Sequence, residues 1–444
     1  MSSSPSLVIV AGTYDGVLAG WEQHDGQPLE LTFATPVHQG SIRSLCLAAS
    51  SSKMPGTLLS CGYDEMLKTH DWSRRLNSSG EVRTPAGLGT PTCSSFAPPT
   101  QASTHCLLGF TGGKLVVYKK RDWSIHHVLA GHDGGIASVA VHPTGKMAIT
   151  GGQEDGKLKL WDLTRGRLAY VTKLPPSAVN KQGKARHDPV DSLEWSVDGT
   201  MYGWCCGNHI TVKATDSGKD LLDAELPSRV NQIALMKGKQ GIFVAAACND
   251  GSLPVLAVQA IDSQDERRAL FAIEPVDNPV AGEERFKCIR VIDGYRVVTA
   301  NSAGVVSVMN LEGAIRMIMT DDHGEDNVDD ESGDESSNDS QEEELAVDII
   351  ESVRLGSGAR ITGLSVWYNP VAADKLEEID KTPTEEAKVA EDTGRPQSKY
   401  DKRSKRNAEV EMDSDTVEKA RALVSQAKKI KKRRDRKRPK QAKD

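Results

Sequence analysis

Short apolar runs alternate with turn residues through most of the first 370 positions. The runs are rich in Val, Ile, Leu and Thr, a composition that suits half-buried or fully buried strands. The clearest stretch is GHDGGIASVAVHPTGKMAITGGQEDGKLKLWDLTRG, residues 131–166. It divides into IASVAV, KMAITG and KLKLWD, and Gly-Gly-Gln-Glu-Asp-Gly joins the last two. Gly and Asp tolerate positive φ, so this joint predicts a hairpin.

The turn-plus-strand phrase returns along the chain. It reads DGVLAGW at 15–21, DEMLKTH at 64–70, GGKLVVY at 112–118, DGKLKLW at 155–161, GNHITVK at 207–213, DGSLPVL at 250–256 and AGVVSVM at 303–309. The seven turns are 49, 48, 43, 52, 43 and 53 residues apart. Copies of one small β unit cannot each bury a core alone, so they stack or close. Seven copies at this period predict an all-β, seven-bladed β-propeller of WD40 type with some extended loops.

The fourth copy carries a buried polar network in its pattern. His132, Thr150, Asp155 and Trp161 have the spacing of the WD hydrogen-bonded set, a structural role. The other copies look degenerate: the turn Asp persists at Asp15, Asp64 and Asp250, and the Trp at Trp21. The first copy, LVIVAGTYDGVLAGW from Leu7, lacks an inner strand, while ARITGLSVWYNP at 359–370 is a strand without a blade. The C-terminal strand should therefore complete the first blade and lock the ring. LAVDIIESV at 345–353 is expected beside it as its outer neighbour, with the acidic run before it inserted in the last crossover.

Charge divides the chain further. The net charge is −7, but residues 1–320 are balanced, 321–344 hold 13 acidic and no basic residues, and 419–444 carry 13 basic against 2 acidic. The expected domains are blades over 1–320, an acidic disordered insertion at 321–344, closing strands at 345–370, a linker at 371–413 and a basic helical tail at 414–444. In the tail, Asp415 and Glu418 have capping-box spacing, and Val417, Ala420, Val424, Ala427 and Ile430 recur at helical spacing. Lys428, Lys429, Lys431, Lys432, Arg433, Arg434, Arg436, Lys437 and Arg438 suit nuclear import and contact with a phosphate backbone. Ser332, Ser336 and Ser340 each precede an acidic residue by three positions, the pattern of an acidophilic kinase site.

Other chemistry is not expected. No apolar run reaches the roughly 18 residues of a membrane span, and no Lys or Arg precedes Arg43 to make a signal-peptide n-region. The eight cysteines form no C-x-x-C pair and read as buried, reduced thiols. There is no P-loop, G-x-S-x-G or H-E-x-x-H motif, so no catalytic, cofactor-binding or metal residues are assigned. The adjacent His126 and His127 are expected at a blade edge. Residues that precede or start inner strands, Arg43, Asp133, Asp188 and Arg229, are the candidates for a partner face.

The opening phrase, the fourth unit and the closing ITGLSVWYNP together resemble the p21-activated-kinase-interacting WD-repeat family, which includes the yeast maintenance-of-killer WD-repeat protein. The resemblance covers residues 7–370 and a basic tail of the same character. It implies a nucleolar assembly factor for the large (60S) ribosomal subunit. Such a factor is non-catalytic and monomeric within a large complex, binding pre-60S proteins and, through the tail, pre-rRNA. It uses no cofactor, membrane or small-molecule substrate. The alternative it implies is an adaptor that binds and inhibits a p21-activated kinase. The acidic insertion and the extended second and third blades depart from the family pattern.

Overall fold

The computed structural model describes residues 5–24, 27–48, 55–72, 78–179, 185–258, 284–320, 347–356 and 358–369. The acidic run 321–344, the linker 371–413 and the tail 414–444, with Ser332, Ser336, Ser340 and the basic residues from Lys428 to Arg438, lie outside them.

Seven antiparallel sheets form the blades of one ring. The inner strands are Ile361–Tyr368, Ile42–Leu47, Pro91–Ala97, Ile136–Val141, Ser192–Trp195, Val230–Gly238 and Phe286–Asp293, for blades one to seven in that order. Each packs against the next, and the seventh packs against the first, so the ring is closed. Six sheets show four strands and blade six shows three among the described residues. Alternation places one face of each strand toward the preceding blade and the other toward the following one. Both faces are thus buried, which is why phrases such as VIVA and VAAAC run apolar without a break. Seven buried clusters fill the seven interfaces, for example Val8, Val10, Ile42 and Leu58 between blades one and two.

The closing strand behaves as its sequence predicts. Ile361–Tyr368 pairs antiparallel with Leu7–Thr13, with Ile9 opposite Val366. The expectation for 345–353 is corrected. Asp348–Arg354 pairs with Val305–Asn310 and forms the outer strand of blade seven, not a neighbour of the closing strand. Its mostly exposed pattern belongs on an edge, whereas the closing strand is buried between two blades. The acidic run therefore falls between the third and fourth strands of blade seven, after the short helix Glu312–Thr320, rather than in a crossover between blades.

Candidate interaction face

Two details of the sheets recur from blade to blade and set up one end of the ring. The first is a β-bulge near the start of the inner strand. Arg43, Thr92, Ala137, Asn231, Lys287 and Thr362 are each the extra residue of such a bulge. Asp191, directly before Ser192–Trp195, is their counterpart in blade five. A bulge leaves its extra residue unpaired in the ladder and re-aims its side chain.

Some bulge residues staple the ring. Thr362 Oγ1 donates to the carbonyl of Ile42 at 2.7 Å, Thr92 Oγ1 to that of Ile136 at 2.6 Å, and Asn231 Nδ2 to that of Phe286 at 2.6 Å. Each acceptor begins the inner strand of the next blade. Other side chains bridge the remaining junctions. The Ser44 and Ser94 hydroxyls meet at 2.7 Å, Ser138 Oγ donates to Val190 O at 2.6 Å, the Leu235 N–H to Glu194 Oε2 at 3.1 Å, and Arg290 Nε to Leu364 O at 3.2 Å. Every blade-to-blade junction thus has a side-chain hydrogen bond, and burial pushes the Glu194 carboxyl up to about 7.

The second recurring detail is the hairpin turn between the second and third strands. It packs against the loop entering an inner strand. Gly16 has φ of 77°, and a Cβ there would stand 2.1 Å from the carbonyl oxygen of His38; Gly113, with φ of 74°, abuts the His132 carbonyl in the same way. Only glycine fits this close approach in the left-handed region. These turns and loops make one end of the ring, and Arg43, Asp133, Asp188 and Arg229 all belong to it.

In blade four the structure brings His132, Thr150, Asp155 and Trp161 together. His132 Nδ1 lies 3.0 Å from Asp155 Oδ2, His132 Nε2 2.8 Å from Thr150 Oγ1, and Trp161 Nε1 2.8 Å from Thr150 Oγ1. Donor capacities fix the direction of the two outer bonds. The carboxylate only accepts and the indole only donates, so His132 Nδ1–H donates to Asp155 and the indole N–H donates to Thr150; a neutral His132 then accepts at Nε2 from the Thr150 hydroxyl. Burial would raise the Asp155 carboxyl, but the hydrogen bond from His132 and its neighbours holds it below the usual range.

Blade two contains a second network that sequence reasoning missed. His38 Nδ1 lies 3.0 Å from Asp64 Oδ1, His38 Nε2 2.9 Å from Ser60 Oγ, and Ser60 Oγ 3.2 Å from His70 Nε2. His70 stands where blade four has Trp161. The signal was present: HQGSI at 38–42 repeats the His-to-Ile spacing of HDGGI at 132–136. Burial lowers the His38 pKa, against the pull of Asp64. Both networks have the Ser/Thr-His-Asp order of an acyl-transfer triad. Their hydroxyls are 0% exposed, however, and each already receives a hydrogen bond, so they brace the turn instead of meeting a substrate.

The partner-face candidates do not form one cluster. Asp133 is exposed and ion-paired with Lys157 at 2.8 Å, which lowers its pKa. Arg43 is exposed on its bulge. Arg229 Nη2 reaches Asp191 Oδ2 at 2.6 Å, with Asp188 beside the pair. Sequence reasoning missed Asp191 and Lys287, because a bulge has no signature of its own in a short strand, and it also missed Arg285, directly before the inner strand of blade seven.

The family model for the WD domain, G-beta repeat, matches residues 123–162, which include the second and third strands of blade four and its His132–Asp155 pair. The chain is a WD40-repeat propeller. Its sequence is similar to proteins named for interaction with p21-activated kinase. It is 24% identical over 307 residues to p21-activated protein kinase-interacting protein 1-like of Gallus gallus, covering 69% of this chain and 73% of the relative. It is 31% identical over 173 residues to Shk1 kinase-binding protein 15 of Schizosaccharomyces pombe, 38% of this chain and 47% of that one. A stretch of 74 residues is 34% identical to ribosome biogenesis protein ERB1 of Candida glabrata, 17% of this chain and 8% of that one. As a WD40 propeller the molecule is an interaction scaffold.

Proposed function

We propose that this WD40 propeller is a non-catalytic assembly factor for precursors of the large ribosomal subunit, acting in the nucleolus. The observation that carries the reading is a charge-balanced ring joined in one chain to nine Lys or Arg within eleven residues, Lys428 to Arg438. Such a run suits nuclear import and counterion-releasing contact with pre-rRNA, weak in sequence preference and steep in salt dependence. The ring presents Arg43, Asp133, Asp188 and Arg229 to precursor proteins, as one copy within a large particle. The stretch similar to ERB1 supports this placement. In this reading the acidic run engages basic ribosomal proteins, and phosphate on Ser332, Ser336 or Ser340 deepens its charge.

The names of the kinase-interacting and kinase-binding relatives favour a second reading, an adaptor that binds and inhibits a p21-activated kinase. The two differ in their need for the tail. Tagged full-length protein and a form ending at Tyr400 are purified from low- and high-salt extracts and sedimented. The first reading expects the full-length form with large-subunit precursors and the shortened form released. Recovery of both forms only in light fractions with a kinase would reverse the order of the two readings.

A further inference from the structure

The bulge position does two different jobs around the ring. In blades one, three and six its side chain is a Thr or Asn that staples the next blade. In blades two, five and seven it is Arg43, Asp191 or Lys287, a charged side chain, exposed at Arg43 and half-buried at the other two. We propose that the end of the ring at blades five to seven, built by Arg229, Arg285 and Lys287, recognises a single oxyanion on a peptide side chain, a phosphate or a carboxylate. This rests on reading that end of the ring as the partner-binding face, and it holds whichever assembly the propeller joins.

The backbone brings the three cations together. Arg229 directly precedes the inner strand of blade six, and Arg285 and Lys287 flank Phe286 at the start of that of blade seven. Asn231 Nδ2 donates to the Phe286 carbonyl at 2.6 Å, which locks the two strand starts side by side. The Arg285 N–H donates to Ser302 Oγ at 3.0 Å, and the Asn249 N–H to the Arg229 carbonyl at 2.9 Å, so both arginines stand on fixed backbone. Arg229 is oriented by Asp191, and Arg285 is exposed. Lys287 is half-buried, and its pKa is lowered by burial and by the positive charge of Arg285 and Arg229. An oxyanion between these groups would relieve that repulsion and satisfy two guanidinium forks.

Charge also limits the ligand. Asp191 and Asp188 stand beside the cations, so the surplus is small and local. A polyphosphate strand would run its neighbouring charges into those carboxylates. A peptide with one anionic side chain avoids that penalty.

The test titrates the full chain into three labelled peptide pools of about nine residues, random except for a central phosphoserine, glutamate or serine. Salt is raised to screen the basic tail, which every variant shares. The phosphoserine or the glutamate pool should bind about tenfold more tightly than the serine pool, the better of the two naming the source of the oxyanion. Lys287→Ala with Arg285→Ala should abolish that preference at an unchanged melting temperature. Asp191→Asn releases Arg229 from its carboxylate and should strengthen binding about threefold, a gain that no folding defect mimics. Three equal pools, or a preference untouched by both sets of substitutions, would overturn the proposal. Tighter binding of a single-stranded uridine 12-mer through Lys287 and Arg285 would also overturn it, in favour of RNA. Sedimentation with ribosomal precursors is read separately, so failure of the assembly reading remains distinguishable.

Discussion

Blades three and four are neighbours of the same topology that stabilise their hairpins by opposite chemistry. Blade four uses the buried relay of Asp155, His132, Thr150 and Trp161. At the corresponding places blade three has Leu108 for Thr150 and Tyr118 for Trp161, and both pack with Leu88 in one apolar cluster. The Tyr118 hydroxyl is buried without a hydrogen-bond partner among the described residues. The fold therefore does not require the polar relay. A relay stabilises only when every member is satisfied, whereas an apolar set tolerates changes of partner at the cost of directional specificity. Blade two stands between them, keeping the relay but replacing the indole with His70.

The comparison can be broken most strongly at the indole. Trp161→Ala removes a large buried ring and a donor together and should cost about 3–5 kcal/mol in urea unfolding. A loss below about 1 kcal/mol would mean that the ring is not held by this interface. Next is Thr150→Val, which keeps the shape but leaves His132 Nε2 and the Trp161 N–H unpaired. It should cost about 2–4 kcal/mol, while a cost near zero would show the relay to be dispensable even in blade four.

Protonation gives a smaller, directional test in blade two. The His38 pKa is lowered in the fold from its ordinary 6.5, so below that pH the unfolded chain binds the proton more readily. Stability from this site is then lost as pH falls through 6.5, the ordinary value that the unfolded chain keeps, toward the lowered folded value. Glu194 works the other way: with its pKa raised to about 7, the native state binds the extra proton and gains stability as pH falls from about 7 toward 4.5. Unfolding of Glu194→Gln across this range should therefore show a steeper loss toward acid than the parent. Equal slopes would remove Glu194 as the opposing group. The smallest effect is expected in blade three, where Tyr118→Phe deletes only an unpartnered hydroxyl. Its unfolding midpoint should stay within about 0.5 kcal/mol of the parent or rise, and a clear loss would reveal a hidden partner for that oxygen.

The same contrast explains how far the sequence was legible. The turn phrases marked all seven hairpins because a tight turn needs Gly or Asp at fixed places. Closure by Ile361–Tyr368 was legible because an inner strand was missing at one end and spare at the other. The blade-two relay was overlooked because His70 hides a site that a Trp would advertise, although His38 kept its spacing. The outer strand Asp348–Arg354 was assigned to the wrong sheet because an amphipathic edge strand carries no mark of which neighbour it pairs with. Asp191 and Lys287 were missed for a related reason: one residue added to a strand changes its direction but hardly its composition.

Closure also has a timetable. Leu7–Thr13 is synthesised some 350 residues before its partner Ile361–Tyr368. At 5–20 residues per second the wait is roughly 20–70 s. Through that interval the strand LVIVAGT, buried along its whole length in the finished ring, has one unpaired edge on a growing chain. Proper assembly of this propeller thus depends on keeping its first strand apart from other chains until its last one arrives.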